Sequence, residues 1–208
     1  VGGLGRGGHP PALIAVAEPQ ATARAALAAD FGVATSADNA EVAQGAAVLV
    51  LAVKPQVMRE VCAGLRAIVA ADRPLVVSIA AGVRIDQFAR WLGAGVAVVR
   101  AMPNTPALIG AGISGLVANA AADPAQRALA EGILRAAGAT VWIGEEALMD
   151  AVTAVSGSGP AYFFLLIEAL EQAAVAQGLP ADTARELVLA TAATGRSFTL
   201  GTGPNCGI

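Results

Sequence analysis

Short apolar runs rich in valine and isoleucine alternate along the chain with longer segments in which apolar residues recur every three or four positions. The short runs predict strands at Leu13–Ala17, Ala47–Val53, Leu75–Ile79, Val96–Arg100, Gly112–Ala118 and Thr140–Ile143. The alanine-rich segments between the first four runs predict helices at Ala21–Phe31, Gln56–Ala71 and Ile85–Leu92. Continuous apolar strands separated by helices predict an α/β fold, with a mostly parallel sheet that helices cover on both faces.

The strand pattern ends before residue 145, and the remainder of the chain has a helical pattern. A turn at Ser156–Pro160 precedes a long apolar helix that extends to about Gln177, and a further helix follows it. We therefore predict a sheet-containing domain over residues 1–144 and a helical domain over residues 145–208.

Composition argues against several classes of function. The chain has 208 residues, is 56% hydrophobic and carries a net charge of -3, so no basic stripe suits nucleic acid. Apolar runs are interrupted before the roughly 18 residues of a membrane span, which argues against membrane insertion. One histidine and two cysteines, Cys62 and Cys206, lack metal-ligand spacing. We expect no metal site and a reducing, cytoplasmic location.

Ligands of open parallel sheets bind at the carboxyl ends of the strands, so the residues after each apolar run are the candidates for binding. These residues are Glu18-Pro19, Lys54-Pro55, Ala80-Ala81-Gly82 and Met102-Pro103-Asn104-Thr105-Pro106. Small residues allow a ligand to approach the backbone closely, and prolines make the loops rigid. This edge of the sheet suits a nucleotide cofactor.

Lys54 follows the run VLVLAV and precedes a proline. Its ammonium group is placed to meet a phosphate or a carboxylate at the end of the strand, while Pro55 starts the next helix. The alternative is that Lys54 only caps a strand at the solvent edge.

A glycine motif at the start of the chain is a poor match to a phosphate-binding loop. Residues 3–8 fit G-x-G-x-x-G, but no strand precedes them, and Glu18 lies ten residues after Gly8, where about 20 are expected. We interpret the motif as the end of a helix and expect the strand and phosphate loop to lie upstream of Val1. His9 lies in a Gly-Pro loop, which favours a surface role.

Four segments together are similar to the pyrroline-5-carboxylate reductases: LAVKPQ, VVSIAAGV, VRAMPNTPALIGAGISGL and VSGSGPAYFF. The similarity extends in order from about Ala12 to Gly195, and MPNTP followed about fifty residues later by SGSGP is its most specific part. The resemblance implies a Rossmann-like N-terminal domain and a C-terminal helical dimerisation domain. It also implies assembly into a homodimer or a larger homo-oligomer.

The resemblance implies NADPH or NADH as the cofactor. It implies that Asn39 lies near the adenosine end and that two strand tips line the path of the ribose and nicotinamide, with Glu146 reaching the cofactor. The residues of these tips are Ala52, Val53, Lys54 and Pro55, and Ile79, Ala80 and Ala81. As alternatives, Asn39 helps to cap a helix beside Asp38, and Glu146 is an acid favoured in a first helical turn.

The implied reaction is hydride transfer to the imine carbon of 1-pyrroline-5-carboxylate, which gives L-proline. Met102, Asn104 and Thr105 are the candidates for facing the reacting rings, although Asn104 also suits a turn. Ser158, before Gly159 and Pro160, suits a helix cap. We assign no proton donor.

Glu18 suits the ribose hydroxyls of NADH and would repel the additional phosphate of NADPH, unless the positive charge of Arg24 or Arg6 offsets this repulsion. We expect a slight preference for NADPH, which many similar enzymes use. Met149, Phe163, Phe164 and Leu166 suit core or dimer contacts.

One departure from the family concerns the end of the chain. Similar enzymes carry a Ser-Pro-Gly-Gly-Thr-Thr-like loop that binds the substrate carboxylate, whereas this sequence reads RSFTLGTGPNCGI after Gly195. We therefore expect the chain as given to be incomplete at both ends, to bind cofactor weakly and to turn over poorly. Two alternatives are another NAD(P)H-dependent imine or ketone reductase of the same fold and a non-catalytic, reductase-like dimeric protein.

Overall fold

A computed structural model describes the backbone of residues 1–200 and the side chains of residues 1–193. The helices are α1 Gly2–Arg6, α2 Ala21–Phe31, α3 Asn39–Ala43, α4 Met58–Asp72, α5 Ile85–Leu92, α6 Pro124–Arg135, α7 Met149–Val152, α8 Gly159–Ala176 and α9 Ala181–Leu200. The strands are β1 Ala15–Ala17, β2 Ala34–Ser36, β3 Val48–Leu51, β4 Leu75–Ser78, β5 Val98–Pro103, β6 Gly112–Ala118 and β7 Gly138–Trp142. The chain divides into two compact units, Val1–Gly157 and a second that begins at Ser158. Cys206 and the sequence TGPNCGI at the chain end lie outside the described residues.

The first unit contains two sheets. Strands β1 and β2 form a parallel pair, and a five-stranded sheet has the order β3-β4-β5-β6-β7. Only the pairing of β5 with β6 is antiparallel in the described part. The predicted α/β class with a mostly parallel sheet is confirmed.

The strand β2, between the first two predicted strands, was not predicted, whereas a helix beside Asp38 was already part of the alternative role of Asn39. The strand β2 has three residues, too few for a period of two to be recognised, and turn-forming residues follow it. Asp38 then caps α3, because its Oδ1 accepts a hydrogen bond from the backbone N–H of Ala40 at 2.8 Å. Asn39 is the first residue of α3, and the capping hydrogen bond of this helix is made by Asp38.

Both faces of the larger sheet are covered. On one face, Leu51, Val76 and Val98 pack in a cluster with residues of α4 and α5, among them Met58 and Phe88. On the other face, a second cluster joins Val77, Val99 and Leu116 to Leu134 of α6. The two clusters pack against opposite faces of the sheet. Because β3, β4 and β5 are parallel, their carboxyl ends lie at one edge of it.

Cys62 is buried within the first cluster. Burial raises the pKa of its thiol to about 11, so the thiol stays protonated at neutral pH. A protonated, buried thiol is a poor nucleophile, and Cys62 serves as a core residue.

At its start, α6 carries the cap expected of an aspartate followed by proline. Asp123 Oδ1 accepts from the backbone N–H of Gln126 at 2.8 Å, and Gln126 Oε1 accepts from the N–H of Asp123 at 3.1 Å. Pro124 occupies the first helical position, where its missing N–H costs nothing.

Glu131 connects α6 to the edge strand β7. Its Oε2 accepts from Trp142 Nε1 at 3.1 Å, and its Oε1 accepts from Thr140 Oγ1 at 3.1 Å and from Arg135 Nη2 at 2.8 Å. The hydrogen bonds from Trp142 and Thr140, followed by the Arg135 charge, outweigh partial desolvation and hold the pKa of Glu131 below its ordinary value.

We expect Glu131→Gln to lower the free energy of unfolding in a pH-dependent way. Because the folded-state pKa is depressed, the ionised carboxylate stabilises the protein above its ordinary pKa of 4.5, and this contribution is lost as pH falls through the lower folded-state pKa. Urea unfolding at several pH values should show that the free energies of unfolding of wild type and variant become equal at acidic pH. Glu60→Gln, at an exposed position on α4, is the matched control. A difference that is constant with pH would contradict the assignment.

The second unit is built from α8 and α9, which pack against each other. Gly178, with φ 98°, and the hydrogen bond from Leu179 N–H to Ala174 O end α8. Ala184 of α9 is fully buried. The prediction of a helical C-terminal part is confirmed.

Candidate functional site

The carboxyl ends of three neighbouring parallel strands form the candidate site. Strands β3, β4 and β5 are adjacent in the sheet and run in the same direction, so their tips lie side by side. The tips carry the predicted residues Ala52, Val53, Lys54 and Pro55, then Ile79, Ala80 and Ala81, then Met102, Asn104 and Thr105. The topology thus brings ten of the twelve predicted site residues to one edge.

The tips of β3 and β4 present backbone and small side chains. Lys54 is exposed and precedes a 3-10 turn, Pro55–Val57, which leads into α4. At the next tip Ala81 is exposed and Gly82 adopts φ 76°, a backbone conformation that favours glycine. These features leave room for a ligand to contact the backbone directly.

The tip of β5 is held by Asn104. Its Oδ1 accepts from the backbone N–H of Ile113 at 3.0 Å, and its carbonyl accepts from the N–H of Ala107 at 3.0 Å. Asn104 therefore does form the turn that was its alternative role. Its side chain ties the loop after β5 to the start of β6.

A π-helical turn, Thr153–Gly157, packs against β5 within the first unit. A methyl group at Gly157 would come within 2.5 Å of Met102 Cε, so glycine at this position lets the end of the Met102 side chain lie against the turn without shifting. Single π-helical turns occur often at functional sites. Among the described residues, the buried hydroxyl of Ser156 is without a hydrogen-bond partner.

Ser158 occupies the N-cap position of α8, but the expectation that it caps the helix is wrong. Its side chain makes no capping hydrogen bond. The preceding π-helical turn keeps Ser158 at φ -87° and ψ -21°, whereas a capping serine needs extended backbone to reach the following N–H groups.

Glu146 accepts two hydrogen bonds at one oxygen. Its Oε1 accepts a hydrogen bond from Arg100 Nη1 at 3.0 Å and another from the backbone N–H of Ile85 at 2.8 Å. Glu146 is the first residue of its own 3-10 turn, Glu146–Leu148, as its alternative role requires. Its carboxylate also meets the N-terminus of α5, because Ile85 is the first residue of that helix. Sequence reasoning missed Arg100; its only signal is a lone charge at the end of an apolar run.

Asn39 lies beside a cleft between the start of α3 and α4, which Val57 of the turn after the β3 tip also lines. The cleft has a volume of about 490 Å³ and is lined by Asp38, Asn39, Ala40, Val57, Glu60, Val61, Gly64 and Leu65. A second cleft, of about 360 Å³, lies among α1, α2 and the segment before β1. It contains none of the predicted site residues. The glycine motif at residues 3–8 begins within α1, which agrees with its interpretation as the end of a helix.

The tip of β1 carries a fixed positive charge. Arg24 Nη1 donates to the carbonyl oxygens of Glu18 at 2.7 Å and Pro19 at 2.8 Å. Glu18 Oε1 accepts from the N–H of Gln20 at 2.9 Å, at the start of α2. The guanidinium and the carboxylate are therefore both held at this tip.

Two family models match the chain. Residues 146–202 match a model described as pyrroline-5-carboxylate reductase dimerisation, and residues 1–82 match one described as NADP oxidoreductase, coenzyme F420-dependent. The two matches lie in different parts of the chain, with residues 83–145 between them.

Several proteins are similar to this chain over most of its length. The pyrroline-5-carboxylate reductase of Pseudomonas aeruginosa is 47% identical over 192 residues, which cover 92% of this chain and 70% of that protein. The enzyme of the same name from Haemophilus influenzae is 45% identical over 186 residues, which cover 89% of this chain and 68% of that protein.

Solved structures show the same similarity. A pyrroline-5-carboxylate reductase from Coxiella burnetii has a TM-score of 0.92 and 40% identity, covering 96% of this chain and 74% of that one. The Plasmodium falciparum pyrroline carboxylate reductase, solved with NADP bound, has a TM-score of 0.75 and 30% identity, covering 83% and 65%. A prephenate dehydrogenase from Aquifex aeolicus, at 18% identity and a TM-score of 0.60, covers 86% and 67% and shares the fold.

Proposed function

Because this chain belongs to the pyrroline-5-carboxylate reductase family, we propose that it reduces 1-pyrroline-5-carboxylate to L-proline with a hydride from NAD(P)H, the last step of proline biosynthesis. The observation that carries this proposal is the 47% identity to a relative over 92% of the chain. The Rossmann-like fold class, the dimerisation domain and the enzyme class predicted from the sequence are confirmed.

The described residues fit a nicotinamide dinucleotide. The tips of β3 and β4 include the exposed small residues Ala52 and Ala81, and Arg24 holds a positive charge at the tip of β1. The buried hydroxyl of Ser156 has no hydrogen-bond partner among the described residues. When bound, the reduced cofactor supplies the hydride. We propose that residues 52–55, residues 79–81, Asn39 and Glu146 contact this cofactor.

The task of the protein is to position two rings, since a protonated imine is already a good electrophile. We propose that Met102, Asn104 and Thr105 form the wall against which the substrate ring lies. The hydrogen bond from Ile113 to Asn104 holds this wall in place. The contact of Met102 with the turn at Gly157 fixes its position from the other side.

We propose NADPH as the preferred cofactor. Arg24 donates to two backbone carbonyls through Nη1 alone, and a guanidinium has five N–H donors, so other donors can reach a ribose phosphate. Glu18 already accepts from Gln20 N–H, which draws its carboxylate toward α2. This arrangement supports a phosphate at the tip of β1.

The enzyme is a homo-oligomer, and we propose a homodimer as its smallest form. Five successive large side chains of α8, Tyr162 to Leu166, are each more than half exposed, with Phe163 at 67%. Five consecutive residues point to all sides of a helix, so this stretch of α8 is apolar all round and needs covering. By length and composition alone, the described stretch Glu146–Ala176 could also cross a membrane. The dimerisation match over residues 146–202 supports a second copy as the cover.

We propose residues 1–144 as the dinucleotide-binding domain and residues 145–208 as the substrate and dimerisation domain, located in the cytoplasm. The dimerisation match, which begins at residue 146, supports this boundary. The first unit nevertheless extends to Gly157, so residues 145–157, which follow this boundary, pack with the first unit.

We expect Ser156→Ala to leave the melting temperature unchanged or slightly higher and to raise KM for the cofactor or substrate about threefold to tenfold. A buried hydroxyl without a partner costs stability, and one net hydrogen bond to a ligand corresponds to that factor. Ser158→Ala, which removes a hydroxyl that makes no capping bond, is the matched control. A lowered melting temperature with an unchanged KM would assign Ser156 a structural partner instead.

The proposed function is tested by NADPH oxidation in the protein expressed from its gene. Oxidation that requires 1-pyrroline-5-carboxylate, with proline formed in equal amount, is the expected result. A folded protein that binds NADPH but fails to oxidise it with this substrate would favour another imine or a ketone. A folded protein that binds neither cofactor would favour a non-catalytic role.

A further inference from the structure

An ion pair inside the first unit connects three segments that are distant in sequence. The Arg100 side chain on β5 is only 5% exposed, and its Nη1 lies 3.0 Å from Glu146 Oε1. The same oxygen accepts from Ile85 N–H at 2.8 Å. A single carboxylate oxygen thus joins β5, the start of α5 and the segment after β7.

Each partner of this carboxylate leads directly to a strand tip. Ile85 opens α5 immediately after the β4 tip. Arg100 lies two residues before Met102, so both side chains project from the same face of β5. Arg100 is also in register with Ser78 of β4, whose Oγ accepts from Ala80 N–H at 3.3 Å. A displacement of this ion pair would therefore move the tips of β4 and β5 together.

The ion pair of Arg100 and Glu146 is not explained by its contribution to stability alone. Desolvating two charges offsets most of their attraction, and well-packed apolar residues often stabilise a fold equally well. A carboxylate that accepts from a guanidinium and a backbone N–H does, however, define the relative geometry of the groups it joins. The segment that begins at Glu146 also contacts β5 a second time within the first unit, because Gly157 lies beside Met102.

We propose that Arg100 and Glu146 are positioning residues, which fix the tips of β4 and β5 relative to each other so that the cofactor and substrate rings meet in reacting geometry. The kinetic part of this inference rests on the proposed reductase function. The structural part concerns the two tips alone.

The variants that test it are Glu146→Gln, Arg100→Met and the double variant, all in the protein expressed from its gene. Glu146→Gln leaves the buried Arg100 charge without its carboxylate, and Arg100→Met leaves the partly exposed Glu146 carboxylate without its guanidinium, so we expect both to lower the melting temperature. In the double variant neither charge is left uncompensated, and we expect the melting temperature to recover. A purely structural pair would then recover its catalytic rate as well.

For positioning residues we expect a different result. In all three variants, including the thermally recovered double variant, kcat should fall about tenfold to a hundredfold, as for misplaced reacting groups. The Kd for NADPH, measured by fluorescence titration, should stay within about threefold in Arg100→Met, because Arg100 is not among the residues proposed to contact the cofactor. Amide hydrogen exchange at residues 80–85 and 102–105 should accelerate in the double variant.

The exposed pair of Asp86 and Arg90 on the same helix is the matched control. Asp86→Asn and Arg90→Met should leave kcat and hydrogen exchange at both tips as in the wild type. Recovery of kcat together with the melting temperature in the double variant would overturn the proposal, as would wild-type exchange at both tips. A wild-type protein inactive on 1-pyrroline-5-carboxylate would refute the proposed function instead, and hydrogen exchange would then decide the positioning role.

Discussion

Arg24→Gln should raise KM for NADPH about tenfold to a hundredfold and leave KM for NADH within about threefold. A charge-assisted hydrogen bond to phosphate contributes about 1.5–3 kcal/mol, and about 1.4 kcal/mol corresponds to a factor of ten. The guanidinium is held at the tip of β1 by the carbonyls of Glu18 and Pro19, so little ordering remains for phosphate binding. Initial rates with each cofactor, at saturating 1-pyrroline-5-carboxylate, measure the effect.

A second variant at the same tip tests the opposite charge. Glu18→Gln should lower KM for NADPH modestly and raise KM for NADH, since a carboxylate suits free ribose hydroxyls and repels a phosphate. Arg66→Gln, at an exposed position on α4, controls for the loss of a positive charge in general. Equal increases of KM for both cofactors in Arg24→Gln would show that this residue supports the loop and does not select the phosphate.

Phe88→Ala should lower the free energy of unfolding by about 3–5 kcal/mol, the cost typical of deleting a buried aromatic side chain. Phe88 is fully buried on α5 and belongs to the cluster that joins α4 and α5 to the sheet. Its ring meets Trp91 edge to face, with centroids 5.9 Å apart, and this contact is lost as well. Urea unfolding followed by tryptophan fluorescence measures the change as a shift in midpoint.

The control for this variant is an aromatic residue that is partly exposed. Phe31, the last residue of α2, is 37% exposed, and Phe31→Ala should cost less than half as much. A loss below about 1.5 kcal/mol in Phe88→Ala would mean that the cluster collapses into the vacated space. Activity of the folded variant should fall too, because α5 begins at the β4 tip.

The regular elements of the fold could be predicted where the sequence carries a clear period. The helices α2 and α5 and the strand β6 begin and end at the predicted residues. The strand predicted at Val96–Arg100 instead extends over Val98–Pro103, because antiparallel pairing with β6 reaches Pro103 opposite Ser114. Such an extension depends on a partner strand and leaves no local signal.

The site could be predicted in outline because strand tips are visible as the ends of apolar runs. Lys54, Ala81 and Thr105 are exposed at the tips of neighbouring parallel strands, as expected. The bond between Arg100 and Glu146 joins residues 46 positions apart, which no local pattern encodes. The π-helical turn was equally hidden, and its backbone angles are the reason that Ser158 fails as a cap.

The exposed aromatic residues of α8 have a consequence for how the enzyme is made. In the proposed homodimer a second copy covers Phe163 and Phe164, so each newly synthesised chain carries them exposed until it encounters another copy. Encounter is bimolecular, so its rate falls with dilution, whereas nonspecific sticking to other hydrophobic surfaces continues. Slow expression would therefore lengthen the vulnerable interval of each subunit, and co-expression of a chaperone should raise the soluble yield most when the chain is scarce.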